Sequence, residues 1–360
     1  MSDSNLIKEA AADRWGVERS QTWYDALPWL VGCNFTPSSA INQLEMWQAE
    51  TFNPKEIDRE LGWLAGIGMN TARVFLHDLL WKQDAKGFLA RIDQFLDLAA
   101  KHKIRIMFVF FDSCWRPNPQ LGPQPAPTPG LHNSYWVQSP GLSIVSNPEA
   151  FAQLEGYVTG VVDCLRDDER VLIWDLWNEP NNANIGTCGT GEMTHDQVGD
   201  IINPLLAKTF QWVRSARPSQ PLTSGVWIGD WSSNDKLGPT LELQLFASDV
   251  ISFHRYANLE ETRASIEPLK RFGRPILCTE YLARGVESTF EEILPYFKQE
   301  KIGAYNWGAV SGKTQTIYPW DSWQKPYAKE PVRWHHDIFR ADGAPCNPAE
   351  IALIKSLMGE

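Results

Sequence analysis

Two glutamates stand out by position. Glu179 ends the run VLIWDLWNEP and Glu280 falls in PILCTEY. Each sits at the C-terminal tip of a short apolar run, where charged side chains are seldom found unless they are paired or functional. Two facing carboxyl groups are the minimum equipment for cutting a glycosidic bond: one, protonated, assists the departing oxygen, and the other, ionised, attacks the anomeric carbon. In an arrangement that retains anomeric configuration the two groups stand ~5–5.5 Å apart. Trp177 and Pro180 flank Glu179 and imply a dry setting, which raises a carboxyl pKa. A plainer reading of Glu179 is an ion pair closing the top of a fold. Asn178 before it and a second glutamate at a matching strand end argue for the site.

Positioning such a pair requires strands that converge. Eight apolar runs read as buried strands: 31–35, 70–76, 105–111, 171–177, 221–227, 250–256, 275–281 and 303–309. Continuous apolar character means both faces are covered, as in a parallel sheet. Amphipathic runs lie between them. Asn53-Pro54 opens a helix over 54–67, and further helices are expected over 87–102, from Asn147-Pro148 to 166, and over 195–217, 259–272 and 288–300. Asn347-Pro348 opens the last, and 237–247 carries the weakest helical pattern. Strand–helix alternation repeated eight times predicts a (β/α)₈ barrel, one domain over residues 1–360, with the active face at the C-terminal strand ends. Strands four and seven stand on opposite sides of its mouth. A minimal barrel needs ~250 residues. The surplus falls in 112–146, with six prolines from Pro117 to Pro129, and in 180–194 and 310–335, each following a strand end. The proline-rich stretch reads as a stiff wall or lid.

Composition excludes several classes. A net charge of -11 disfavours nucleic acid and anionic membrane as partners. The start of the chain lacks the basic and apolar regions of a secretory signal, and no apolar run reaches the length of a membrane span. The six cysteines are scattered without a CxxC pair, which disfavours a zinc site or disulfide framework. A reducing cytoplasm is therefore expected. The seven histidines form no HExxH motif. His335 and His336 are expected at the surface or supporting a site from behind. The 17 tryptophans exceed what one core needs, and their flat apolar faces suit binding clefts.

WNEP after the fourth strand and TEY after the seventh resemble the clan A glycoside hydrolases, and within them family 5, the cellulase-like family. The resemblance spans residues ~30–310, the strand array. It implies a retaining hydrolase of β-linked sugars that uses no metal or organic cofactor, with Glu179 as acid/base and Glu280 as nucleophile. It further implies that Asn178 bonds the sugar 2-hydroxyl, that Arg73 holds the nucleophile ionised, and that His254 and Tyr256 form the family's His-x-Tyr, with Tyr256 donating to Glu280. Trp307 becomes the platform under the sugar. The chain departs from the family after the third strand, where a histidine is usual and FVFFDSCW stands instead. Asp112 or His77 is then expected to contact the sugar, with Trp115 nearby.

Other residues have plainer roles open. Asp175 shares strand parity with Trp177 and Glu179 and suits a barrel-interior polar group satisfied by Arg73 or a neighbour. Trp115, Trp136, Trp231, Trp320 and Trp323 suit either subsite walls or packing. The long loops favour action at chain ends or on short oligosaccharides. An endo-acting glucanase, mannanase or xylanase, and a binding barrel without activity, stand as alternatives.

Overall fold

The computed structural model describes residues 3–189 and 191–359. Its strands are β1 (Val31–Asn34), β2 (Thr71–Phe75), β3 (Arg105–Asp112), β4 (Val171–Asn178), β5 (Leu222–Thr223), β6 (Ile251–His254), β7 (Ile276–Tyr281) and β8 (Gly303–Trp307). They form one sheet in the order β5-β4-β3-β2-β1-β8-β7-β6, and the paired strands run parallel. The two edges meet where Val226 bridges Phe253, so the sheet closes into a (β/α)₈ barrel.

The fifth strand is much shorter than the run 221–227 suggested. Ser224 leaves the ladder: its N–H donates to Ser248 Oγ at 3.2 Å and its hydroxyl to Trp177 O at 3.0 Å. Gly225 lies so close to β6 and β7 that a Cβ would meet Ser252 Oγ at 3.0 Å. Helices follow the strands, with local differences. The helix expected at 87–102 begins at Asp78 and breaks at Asp84, whose φ is -159°. Pro268 turns the end of the 259–272 helix into a 3₁₀ segment, Glu267–Phe272. The weak pattern at 237–247 is a helix, Pro239–Ala247. The asparagines before Pro54 and Pro348 cap their helices through side-chain oxygens, accepting from Glu56 N and Ala349 N.

Two helices before β1, Asp3–Ala10 and Val17–Asp25, have no counterpart in the sequence reading. Trp23 and Tyr24 from the second pack on barrel-interior residues Met107, Ile173 and Leu277. Trp15 N donates to Asp249 Oδ1 at 2.8 Å, fixing the segment under the barrel floor.

At the mouth, the loop after β3 and the loop after β8 are joined. Asn133 N donates to Thr314 O, Tyr327 N to Gly130 O, and Gln315 Nε2 to Thr128 O at 2.7 Å. Gly130 has φ +72°, and a Cβ there would lie 1.9 Å from Tyr327 O, so only glycine fits this seam. The final helix, Pro348–Met358, braces the same region. Its Glu350 pairs with Arg284 at 2.6 Å, and that guanidinium also donates to the carbonyls of His336 and Asp337. No helix among the described residues is long and apolar enough to cross a membrane.

Candidate active site

Arg73 organises the floor of the mouth. It is fully buried, and burying a guanidinium is tolerable only with its donors satisfied. Nε donates to Asp175 Oδ2 at 2.9 Å, Nη1 to Asn34 Oδ1 at 2.8 Å and to Glu280 Oε1 at 2.9 Å, and Nη2 to Asn178 Oδ1 at 2.8 Å. One cation from β2 thereby ties together β1, β4 and β7. Asp175 lies inside the barrel beneath it. The expected parity of Asp175, Trp177 and Glu179 fails at Trp177, which packs outward with its ring 5.0 Å from that of Phe111. Glu179 itself has φ +47°, a left-handed conformation that breaks the period of two and costs strain of a kind that gathers at functional sites.

The two glutamates face one another around His254. Nδ1 of His254 lies 2.9 Å from Glu179 Oε1 and 3.5 Å from Glu280 Oε2. One donor atom from each of the three residues falls within 4.8 Å of the other two. Their partners differ. Glu280 accepts from Arg73 on Oε1 and from Tyr256 Oη at 2.8 Å on Oε2. Glu179 Oε2 accepts from Asn182 Nδ2 at 2.7 Å and from the Cys114 thiol at 3.2 Å. This trio is the one group of acids, histidines and cysteines among the described residues spaced to hold a metal ion. The Arg73 cation bound to Glu280 opposes a second positive charge there.

Burial raises both carboxyl groups above their ordinary range. For Glu280, burial and Glu179 push it up, while His254, Arg73 and Tyr256 pull it down, the last two in the expected direction. For Glu179 the opposing donors in contact are neutral, Cys114 and Asn182. Burial lowers His254 to about 4, which leaves it neutral at pH 7. Tyr256 and Cys114 are both pushed well up by burial and stay protonated as donors.

Above the pair opens a cavity of about 330 Å³. Trp307, Tyr256, Trp320, Trp115, His195 and Trp227 line it. Trp115 stacks on Trp323 with ring centroids 5.8 Å apart. Trp307 is wedged edge-on against Phe75 and Trp136. Trp231 instead packs away from the cavity, donating to Ser265 O. Asp112 and His77 do not line the cavity. Asp112 is buried behind Asn178, accepting from its Nδ2 at 2.9 Å and from Trp136 Nε1 at 2.6 Å, and burial pushes it up to about 7. It orients Asn178 from below. His77 is fully buried and caps the helix that follows, accepting from Leu79 N. His335 and His336 are also buried, packed with His132 and Trp320 and held neutral, and His336 reaches the cavity wall.

Sequence reasoning missed Cys114, Asn182, His195 and Trp227. Trp227 ends the fifth apolar run, so the strand-end rule that selected Glu179 applied to it equally. Its indole donates to Asn181 Oδ1 at 2.8 Å and its ring meets His195 edge-on at 5.2 Å. Asn182 stands one turn past Glu179, within reach of its carboxylate. Nothing in the sequence marks Cys114.

Two further cavities flank the first. One of about 420 Å³ continues past His195, between Asp196 and Pro239. The other, behind Trp307, holds about 20 Å³.

A family model described as "Cellulase (glycosyl hydrolase family 5)" matches residues 38–313. No curated protein sequence matches the chain. Among solved structures, the exo-beta-1,4-mannosidase Op5Man5 from Opitutaceae bacterium strain TAV5 is similar at 16% identity and a TM-score of 0.61, over 92% of this chain and 59% of that one. A GH5_18 variant from Streptomyces cattleya in complex with Manβ1-4GlcNAc is 14% identical, with a TM-score of 0.59 over 91% and 80% of the two chains. XEG5A, a xyloglucan-specific endo-beta-1,4-glucanase from a metagenomic library in complex with cellotriose, is 12% identical, with a TM-score of 0.59 over 95% and 99%.

Proposed function

The chain belongs to glycosyl hydrolase family 5, and from that premise we propose that it is a retaining β-glycosidase that removes the terminal sugar from short oligosaccharides. The observation that carries the retaining reaction is the glutamate pair itself. An oxygen of Glu179 and one of Glu280 lie within 4.8 Å of each other, which suits the close carboxyl pair of double displacement, ~5–5.5 Å apart.

In the first step Glu280 attacks the anomeric carbon. A fixed cation and a phenol hydrogen on its oxygens favour its charged form, so it is the ionised member of the pair. Glu179, raised by burial and contacted by neutral donors, carries the proton and delivers it to the glycosidic oxygen as that bond breaks. The leaving sugar departs with the proton, and the glycone stays bonded to Glu280. In the second step Glu179, now ionised, takes a proton from water, whose oxygen displaces Glu280 from the anomeric carbon. Asn178, fixed by Arg73 and Asp112, presents its amide to the sugar 2-hydroxyl. Trp307 supplies a flat face for the sugar C–H groups.

Exo action is supported by asymmetry. The leaving sugar must lie on the side of the acid, toward His195 and Trp227, where space continues into about 420 Å³. The glycone lies toward Trp307, behind which a separate cavity holds about 20 Å³, room for one water and not for a second ring. The joined β3 and β8 loops cover that end. The test is product analysis with reducing-end-labelled β-glucan, β-mannan and β-xylan oligosaccharides beside p-nitrophenyl glycosides. Release of one monosaccharide at a time, absent in Glu179→Gln and Glu280→Gln, is expected. Internal cuts would overturn the exo reading, and activity persisting in Glu280→Gln would overturn the assignment of nucleophile.

A further inference from the structure

The small cavity behind Trp307 has a chemistry of its own. Thr36, Thr314, Thr316 and Asp337 line it, with Trp136 and Trp307 as walls. Asp337 is 1% exposed, yet only one of its carboxylate oxygens is engaged. Oδ2 accepts from Thr316 Oγ1 at 2.8 Å. Oδ1 accepts no hydrogen bond from any described residue, and Arg284, the cation behind this segment, is spent on the Asp337 carbonyl and on Glu350. Burial pushes the Asp337 carboxyl up to about 6, so a large ionised fraction persists at neutral pH.

The backbone is shaped to put that oxygen there. Asp337 has φ +59°. Gly308, next to Trp307, has φ +77°, and a Cβ on it would lie 2.3 Å from Asp337 Oδ1. A bare glycine is thus what lets the carboxylate come up against the base of the sugar platform. Asp337 lines the cavity, and a carboxylate oxygen with no protein donor can accept from whatever enters it. About 20 Å³ admits one water or one hydroxyl group.

We propose that Asp337, buttressed by Thr316, accepts a hydrogen bond from a free hydroxyl of the terminal sugar, and that this nook reads the chain end. The proposal rests on the exo reading above and deepens it. A hydroxyl fits the nook, whereas the same oxygen carrying another sugar does not, so a residue inside a chain linked through that oxygen cannot seat on Trp307. The ligand class is a β-pyranoside with that ring position unsubstituted. Either a primary or a secondary hydroxyl meets the chemistry.

The test uses the full-length protein and the glycoside it cleaves best. The parent is compared with analogues deoxygenated or O-methylated at one glycone position at a time, leaving out the 2-position assigned to Asn178. At one position, deoxygenation is expected to cost about 10- to 100-fold in kcat/KM, the range for a hydrogen bond to a charged group. O-methylation there should cost more, because the nook has no room for the methyl. Asp337→Asn keeps a residue type that tolerates the left-handed backbone, and Thr316→Val keeps the shape. In Asp337→Asn the penalty for deoxygenation at that position should shrink to the few-fold of a hydrogen bond to a neutral acceptor, while penalties at the other positions stay as in the wild type. Thr316→Val gives a partial version of the same change and serves if Asp337→Asn does not fold. If parent and deoxy substrates lose activity in equal proportion, Asp337 is only structural and the proposal fails. Wild-type indifference to deoxygenation at every tested position also defeats it. Labelled oligosaccharides run alongside separate the two readings: internal cuts defeat exo action and the nook together, whereas monosaccharide release without coupling to Asp337 defeats the nook alone.

Discussion

Behind Trp307, on one side of the glutamate pair, a separate cavity holds only about 20 Å³, near two loops stitched by backbone hydrogen bonds. On the Glu179 side, past His195, lies a cavity of about 420 Å³ lined by residues of 194–200 and 228–241. The closed side is also the charged side, where Arg73 and Asp175 are fully buried and Glu280 nearly so. The open side relies on neutral donors around Glu179. The difference separates two tasks. Rigid charge placement serves the step that makes and breaks a bond to carbon, and a roomier surface serves a leaving group whose identity need not be fixed.

The largest effect should come from the divide itself. Glu280→Ala is expected to lower kcat/KM by about 10⁴-fold or more on every substrate. Glu179→Ala should do the same on oligosaccharides and much less on p-nitrophenyl glycosides, whose leaving group needs little protonation. A ratio of the two losses that does not depend on the leaving group would break the assignment of sides. Next in size is the seam. Gly130→Ala forces a Cβ onto Tyr327 O, and strain of about 1–3 kcal/mol is expected as a lower melting temperature. If the seam closes the glycone end, products longer than a monosaccharide should appear as it loosens. Trp227→Ala sharpens the contrast from the other side. Loss of one ring face, about 0.5–1.5 kcal/mol, should raise KM for oligosaccharides several-fold and leave aryl monosaccharides unaffected. The smallest expected change is in pH dependence. Glu179 must be protonated in the first step, so kcat/KM falls as pH rises through its elevated pKa. The Cys114 thiol favours the ionised form. Cys114→Ala should therefore move the alkaline limb to higher pH, measured with an aryl glycoside across the pH range.

The strands that carry Glu179 and Glu280 were legible because parallel strands buried on both faces write themselves as apolar runs, and a charge at the end of such a run is conspicuous. β5 was overread, because apolar composition at 221–227 does not reveal that Ser224 turns its N–H to a side chain. The segment before β1 was passed over because its helices are short and only partly apolar, and their burial comes from the barrel floor. Among site residues, Arg73, Asn178, His254, Tyr256 and Trp307 lie around the glutamate pair. Asp112 and His77 were misplaced because strand-end position alone does not tell an inward side chain from one behind the wall. Asp337 was invisible, since its approach to Trp307 depends on a glycine and a left-handed turn joining parts of the chain that sequence spacing does not relate.

The last helix has a bearing on how this protein should be handled. Glu350 neutralises Arg284, and Arg284 grips the backbone beneath His336 and Asp337. A chain trimmed before residue 348 would keep all eight strands and both glutamates, yet leave a buried guanidinium without its counterion directly behind the sugar platform. Libraries built by shortening or splicing the carboxyl end are then expected to lose stability and turnover together, and an inactive fragment of that kind would say nothing against the chemistry of the intact molecule.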